Sequence, residues 1–184
     1  MFDPGNAVLY MKVGTHAEED LASIIARKKR EIEDAGLAMW GYGGNTCHPA
    51  SMVQPFARER ARAGRPIILA MQPMNSKHFA EPLRAEEFSG DGTSWKPVPE
   101  DINVLGSRYA LCLKTLDQVD TTLYLAGTRV AIGPSKGKVG SSYVRGRVDK
   151  ACLEIAGQTG DPTGLVRIKL VAELVEPFAV FLRS

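Results

Sequence analysis

The chain has 184 residues, of which 44% are hydrophobic and 24% charged, so it can bury a real core and bulk disorder is excluded. Its formal net charge of +2 excludes a general polyanion binder, and any phosphate site must come from a local patch. Three cysteines without a close pair, no signal-peptide pattern and no apolar run of bilayer-spanning length predict a soluble, cytoplasmic protein without a membrane partner.

The N-terminal part of the chain predicts a strand and a long helix. Residues 8–13 form a largely apolar run that is typical of a strand. Apolar residues at helical spacing then predict a helix over 15–36. Thr15 is the expected N-cap, with Glu18 three residues later to complete a capping box, and Gly36 is the expected C′ residue.

A second helix and a buried strand are predicted on the far side of a glycine-rich loop, residues 40–49. Pro55 is expected in the first turn of this helix, which ends near Ala63. The continuous apolar run 67–71 then predicts a strand that is buried on both faces.

The second half of the chain is rich in predicted strands. Strands are expected over 108–116 and 122–132, joined as a hairpin by the polar residues 117–120. Residues 165–175 alternate between apolar and polar side chains, which indicates a half-buried strand. Further elements are a short helix opened by Pro82 over 82–88, a turn at 89–92, a short helix over 148–156, and a last strand over 178–182 after a break at Pro177.

These elements lack a regular βαβ alternation, which argues against a doubly wound parallel sheet and predicts one α+β domain over 1–184. We expect a curved sheet, mixed or mostly antiparallel, with two or three helices packed against it. Closure into a small barrel is one form that such a sheet can take, since it removes the edges. The element order is similar in architecture to small, PUA-like barrels that read nucleic acids, although no motif assigns a family.

The loop 40–49, with the sequence WGYGGNTCHP, is the first candidate site. Trp40 and Tyr42 offer ring faces on which a base could stack. Asn45, Thr46 and His48 carry groups that can read the polar edge of a ligand. The alternative is a structural loop whose aromatic side chains fill the core.

A basic, glycine- and serine-rich segment forms the second candidate site. Its backbone amides can form an anion-binding nest, and its cations suit phosphate. The lysines lie at the wrong offsets for a Walker A loop. Lys77, in the segment 75–78 after a buried strand, is expected to add a third side to the site. The alternative is an exposed hairpin with solvated charges. The four cations of the basic segment are Lys136, Lys138, Arg145 and Arg147.

Neither a metal nor a catalytic centre is predicted. The three histidines and three cysteines show no CxxC or HxxxH spacing. The side chains of Cys47 and His48 are adjacent in sequence and therefore poorly placed to face each other as nucleophile and base. The acids are dispersed. We name no catalytic residue, metal or cofactor.

One function accounts for both candidate sites. The sequence predicts a nucleotide- or nucleic-acid-binding module, with a base stacked on Trp40 and Tyr42 and a phosphate held by the segment 136–147. Its partner would be a free nucleotide, or an unpaired or flipped nucleotide in a strand. Two alternatives remain open: a small enzyme that acts on a nucleotide or related metabolite through Cys47 or His48, and a protein-interaction domain.

Overall fold

The structure is a computed structural model that describes residues 1–43, 48–78, 80–145, 150–157 and 164–184, with the backbone alone for 76–78. This part of the chain contains three α-helices and a 3₁₀ turn at Leu125–Gly127. The helices are α1 (Leu21–Ala35), α2 (Ala50–Arg62) and α3 (Gly140–Tyr143). The strands are β1 (Ala7–His16), β2 (Ala38–Tyr42), β3 (Ile68–His78), β4 (Glu87–Ser89), β5 (Lys96–Pro97), β6 (Tyr109–Leu113), β7 (Asp117–Tyr124), β8 (Thr128–Val130), β9 (Lys150–Ile155) and β10 (Leu165–Arg183).

The strands form one mixed sheet, which confirms the predicted α+β class. The main order is β2-β6-β10-β3-β1-β9-β8, with β1 and β3 parallel. The 19-residue β10 organises the sheet: its first half pairs with β7 and β3, and its second half pairs with β6 and β4. No helix in the described residues is long and apolar enough to cross a bilayer.

The prediction that the sheet closes into a small, PUA-like barrel is wrong, because the described sheet is open and its two ends are covered in other ways. At one end, the backbone N–H of Met39 in β2 donates to the Glu31 carboxylate of α1, at 3.3 Å. At the other end, Val130 of β8 exchanges backbone hydrogen bonds with Gly137 and Lys138. Covered edges do not need closure to avoid pairing with other chains.

The core lies on both faces of the sheet. Successive side chains of β1 point to opposite faces, so Leu9 and Met11 join the main cluster with α2, while Val8 and Tyr10 join a second cluster. A strand that is buried on both faces reads as a continuous apolar run, which is why β1 was predicted from the sequence.

The predicted start of α1 is wrong. β1 continues through Gly14 because its end pairs with β3, where Thr15 is opposite Lys77. The helix begins at Leu21, and the Asp20 side chain caps it by accepting from the Ser23 N–H at 2.8 Å. Gly36 is confirmed as the residue that ends the helix: its φ is 77° and its N–H donates to Ile32.

Pro55 lies inside α2 rather than in its first turn, because the helix already begins at Ala50. A proline at this position leaves the carbonyl of Ser51 without a helical donor. Pro55 and Ser51 are both exposed, so water can satisfy that carbonyl. The predicted end near Ala63 is confirmed.

Two segments that were predicted to form short helices are strands or extended chain instead. Residues 82–88 contain an isolated bridge from Arg84 to Leu105 and then β4, which pairs with β10. Residues 148–156 contain β9, which is inserted between β1 and β8. In both segments, pairing with distant strands outweighs the local helix signal.

The predicted hairpin between 108–116 and 122–132 is also wrong. Residues 117–120 belong to β7, and β6 and β7 each pair with β10 instead of with each other. The second predicted strand is divided by the 3₁₀ turn into the end of β7 and β8. Pro177 does not end β10, which continues to Arg183 after a register shift between Leu174 and Ala179.

Candidate functional site

A cavity of about 290 Å³ lies beside α1 at the carboxyl end of β1. Residues 11–16 of β1 form one wall, and the end of β2 forms another. Met74 of β3 and Lys150 at the start of β9 complete the described lining near the sheet, and Leu105 lies in the loop before β6. Ligand sites are often placed beyond the carboxyl ends of parallel strands, as here with β1 and β3.

Trp40 and Tyr42 line this cavity from within the core. The first residues of the predicted loop 40–49 are in fact the end of β2, and strand alternation turns both rings inward. They are only 5% and 2% exposed, so neither projects from an open loop. Gly41 faces the other way, where an added Cβ would lie 2.2 Å from Ser107 Oγ. The aromatic side chains of the candidate site therefore form a buried wall of the cavity.

The ring of Tyr42 already has neighbours. The Tyr109 ring centroid lies 5.3 Å away, and the Lys150 ammonium lies 5.0 Å from the Tyr42 ring centroid. That second distance is typical of a cation–π interaction. A base could stack on this face of Tyr42 only if the Lys150 ammonium moved.

Lys12 and Lys150 lie on opposite faces of the sheet. Lys150 is opposite Met11 in the β1–β9 ladder, and its ammonium approaches the Tyr42 ring. Lys12 follows Met11 in β1, so its side chain points to the other face, where its Nζ donates to the backbone oxygen of Val144 in the second cluster at 3.0 Å. Lys150 is 4% exposed, so the positive charge beside the aromatic wall is a buried one.

The cations on the α1 side of the cavity are paired with carboxylates. Lys28 is 2% exposed, and its Nζ donates to both oxygens of Glu31 at 2.8 and 2.9 Å. Arg27 donates to Glu19 and to Glu31. Desolvation lowers the pKa of Lys28 to about 8, and the Glu31 charge opposes this shift.

This buried ion-pair cluster also fixes the loop that carries Val104 and Leu105. Lys28 Nζ donates to the Asn103 carbonyl at 2.8 Å, and the Asn103 N–H donates to Glu31 at 3.1 Å. With these bonds, each of the three N–H groups of Lys28 has an acceptor. The cluster therefore holds the cavity wall in place.

His48 connects the two candidate segments of the sequence. The Cys152 N–H donates to His48 Nδ1 at 3.0 Å, which assigns the proton of the neutral ring to Nε2. Nε2 then donates to the hydroxyl of Tyr143, also at 3.0 Å. Burial lowers the pKa of His48, which favours this neutral form. Both ring nitrogens are engaged inside the protein, and a ligand role for His48 stays a prediction.

The basic segment occupies the outside of the molecule. Lys136 and Lys138 are exposed in the turn after β8 and are not part of the described cavity lining. Arg145 is exposed as well; it directly follows Val144 of the second cluster and is not part of the described cavity lining. The backbone of Lys77 belongs to β3 instead of to a loop after it.

Several predicted site residues fall outside the described part of the chain. They are Asn45, Thr46 and Arg147, together with Cys47 of the alternative enzyme hypothesis. Lys150, which is described, was missed because it lay in a segment that was predicted to be helical.

The described residues contain no group of three or more histidine, cysteine, aspartate or glutamate side chains that could hold a metal ion. His16 Nε2 lies 2.9 Å from the Leu105 oxygen, so the ring supports the same loop as the ion-pair cluster. Cys112 and Cys152 are buried free thiols. Burial raises the pKa of Cys112 to about 12 and raises that of Cys152 as well, so both thiols are unreactive.

Comparison with protein families, with curated proteins and with solved structures finds no match to this chain. The interpretation of the cavity therefore depends on its own geometry and charge.

Proposed function

We propose that this chain is a nucleotide-binding module whose ligand enters the cavity beside α1. The observation that carries this proposal is the combination of an aromatic wall, Trp40 and Tyr42, with the buried ammonium group of Lys150. A nucleotide matches this combination, because one end is planar and largely apolar and the other is anionic. Its source would be a free nucleotide, or an unpaired or flipped nucleotide of a strand.

The volume of the cavity favours one small ligand. Ligand pockets usually enclose about 300–1,000 Å³, and this cavity is at the lower limit with about 290 Å³. In our proposal the base lies along Trp40 and the flexible, 40% exposed side chain of Met74. The phosphate points toward the ammonium group of Lys150.

This arrangement differs from the one that the sequence predicts in where the phosphate binds. The described cations of the basic segment, Lys136, Lys138 and Arg145, are exposed and take no direct part. We also propose a reducing, cytoplasmic setting, with which the buried free thiols of Cys112 and Cys152 agree.

A thermal-shift screen tests the proposal. The full chain is heated with nucleosides, nucleotides, short single-stranded oligonucleotides or inorganic phosphate, each at low and high salt. A ligand that binds the native state must raise the melting temperature. We expect a nucleotide-dependent rise that is smaller at high salt, because salt screens the attraction between phosphate and lysine.

Two matched lysine variants locate the phosphate. Lys150→Met should reduce the nucleotide-dependent shift, whereas Lys136→Met should keep it. Trp40→Phe should weaken the shift for nucleosides while it keeps a ring in the core. If no nucleoside, nucleotide or oligonucleotide changes the melting temperature of the folded protein, the proposed function is wrong.

A further inference from the structure

We propose that a phosphate-binding site lies on the second face of the sheet, the face that carries the cluster around Val8 and Tyr10. Lys12 and Gln72 form its floor, and Arg145 lies at its rim. This inference goes beyond the proposed function, because the site is on the opposite side of the sheet from the aromatic wall. Its ligand is the phosphate group of a small phosphorylated compound or of a nucleic-acid strand.

The strand ladder places Lys12 and Gln72 side by side. The two residues are opposite each other in the parallel pairing of β1 with β3, and neighbouring strands lie about 4.8 Å apart. The residues that precede them, Met11 and Met71, both belong to the main cluster. Because side chains alternate along a strand, the pair itself points to the second face. A lysine and an amide are therefore neighbours on one surface of the sheet.

The Lys12 ammonium retains donors for a ligand. Lys12 Nζ donates to the backbone oxygen of Val144 at 3.0 Å, and the described residues provide no further acceptor and no carboxylate for it. An ammonium group has three donors, so two remain. The acceptor is a neutral carbonyl, so this bond does not neutralise the charge. Lys12 is half-buried, and partial removal from water strengthens its attraction to an anion.

The Gln72 amide adds uncharged donors beside this ammonium. The Tyr10 hydroxyl donates to Gln72 Oε1, which assigns the oxygen end of the amide to that contact. The Nε2 group then has two N–H donors, for which the part of the chain that the structure describes supplies no acceptor. The amide is thus oriented by Tyr10, and its nitrogen is the end that can bind a ligand.

Arg145 brings a second positive charge to the rim of the site. It follows Val144, and a carbonyl oxygen lies about 3 Å from the next Cα in a trans peptide. The Arg145 Cα is therefore within about 6 Å of Lys12 Nζ. Arg145 is exposed, and no carboxylate in the described ranges pairs with it. Its guanidinium group is a planar fork that matches two phosphate oxygens.

The chemistry of these three side chains selects a phosphate. Their free groups are all donors, and two of them are positively charged, so the site favours an anion over a neutral or cationic ligand. The donors come from β1, from β3 and from the residue after Val144, and therefore approach from different directions. A carboxylate offers two oxygens in one plane, whereas a phosphate monoester offers three oxygens that point apart.

Calorimetric titration of the full chain with inorganic phosphate, at low and high salt, provides the first test. Lys12→Met should weaken binding at least about tenfold, the usual loss for one hydrogen bond to a charged group. Arg145→Gln should weaken it about threefold, since an exposed charge contributes less. Lys136→Met removes an exposed cation outside the site and should leave the affinity unchanged. Melting temperatures without phosphate establish that each variant is folded.

Gln72→Glu separates ligand binding from folding. The carboxylate can accept from the Tyr10 hydroxyl as the amide does, and it would neutralise Lys12 from the neighbouring strand. We expect an unchanged or higher melting temperature together with phosphate binding that is at least about tenfold weaker. The matched control is Gln118→Glu, the same exchange at an exposed position of β7, which should change the affinity by less than about threefold.

Two further ligands distinguish the sources of the phosphate. Ribose 5-phosphate represents a small monoester and a short single-stranded oligonucleotide represents a strand, and tighter binding of either supports the site. Phosphate affinity that is unchanged in folded Lys12→Met and in Gln72→Glu would overturn the inference, and Lys12 would then serve only to tie β1 to Val144. Loss of phosphate binding in Lys150→Met alone would place the anion in the cavity, so that the inference failed while the proposed function stood.

Discussion

The molecule places positive charge in two very different regions. In the cavity region, Lys28 and Lys150 are buried and contact carboxylate or ring groups. In the turn after β8, Lys136 and Lys138 are exposed. The exposed pair is conspicuous in the sequence because its members lie two positions apart, whereas the cavity cations are scattered along the chain.

The difference shows why a cluster of basic residues in a sequence is a weak guide to the position of a charged site. Exposed charges interact through water of high dielectric constant and are screened by salt. A partly desolvated charge interacts more strongly, but burial is decided by the pairing of distant strands. The two regions are nevertheless linked, since His48 bonds to Tyr143 of α3, which ends the basic turn. We therefore expect substitutions in the two regions to differ in their effects on stability and on binding.

The largest effect is expected from Glu31→Gln. The neutral amide would leave the buried ammonium of Lys28 without its carboxylate, and a broken buried pair typically costs about 3–5 kcal/mol. Urea denaturation measures the loss. The matched control is Glu33→Gln, an exposed position on the same helix, which should change stability by less than about 0.5 kcal/mol. Equal effects of the two substitutions would contradict the description of this ion-pair cluster.

A smaller loss of stability is expected from His48→Leu. The leucine has a similar size but removes the acceptor of the Cys152 N–H and the hydrogen bond to the Tyr143 hydroxyl. Because the backbone N–H is buried, we expect a cost of about 2 kcal/mol, with Tyr143→Phe costing about 1 kcal/mol. Chemical denaturation of both variants checks this order. A neutral His48→Leu would mean that the two segments are not held together by the imidazole.

Local patterns in the sequence predicted the parts of the fold that local physics determines. The apolar run of β1, the body of α1 with its terminal Gly36, and the alternating first half of β10 were all predicted correctly. The segment 150–155 was not, because β9 is buried on both faces and so lacks the alternation that marks a strand. Its strand form depends on β1 and β8, which are distant in sequence.

The candidate site was predictable to a similar degree. The aromatic and glycine content of 40–49 directed attention to Trp40 and Tyr42, and both line the cavity. The composition could not show that β2 would turn their rings toward the core. The approach of Lys150 to the aromatic wall requires the β1–β9 ladder, and no spacing rule in the sequence encodes that pairing.

Measuring the free energy of unfolding as a function of pH tests the effect of burial on His48. Burial lowers its pKa in the folded protein from the ordinary value of 6.5. As the pH falls through 6.5, the unfolded chain takes up a proton that the folded chain does not, so the stability that is present above pH 6.5 declines. One such proton contributes at most about 1.4 kcal/mol per pH unit. Denaturation at pH 7.5 and 5.5 should show a smaller decline in His48→Leu than in the unmodified protein, since the other histidines are common to both.

The smallest effect is expected from the double substitution of Lys136 and Lys138 by serine. Both side chains are exposed, and we find no ion pair for either in the described residues. Stability should therefore change by less than about 0.5 kcal/mol. Nucleotide affinity at moderate salt should stay within about twofold, because screening weakens charges that do not touch the ligand. The comparison is most informative when this double variant is titrated beside Lys150→Met. If the double variant lost the phosphate-dependent affinity and Lys150→Met kept it, the phosphate would bind at the outer turn, and the buried cavity cations would serve only the fold.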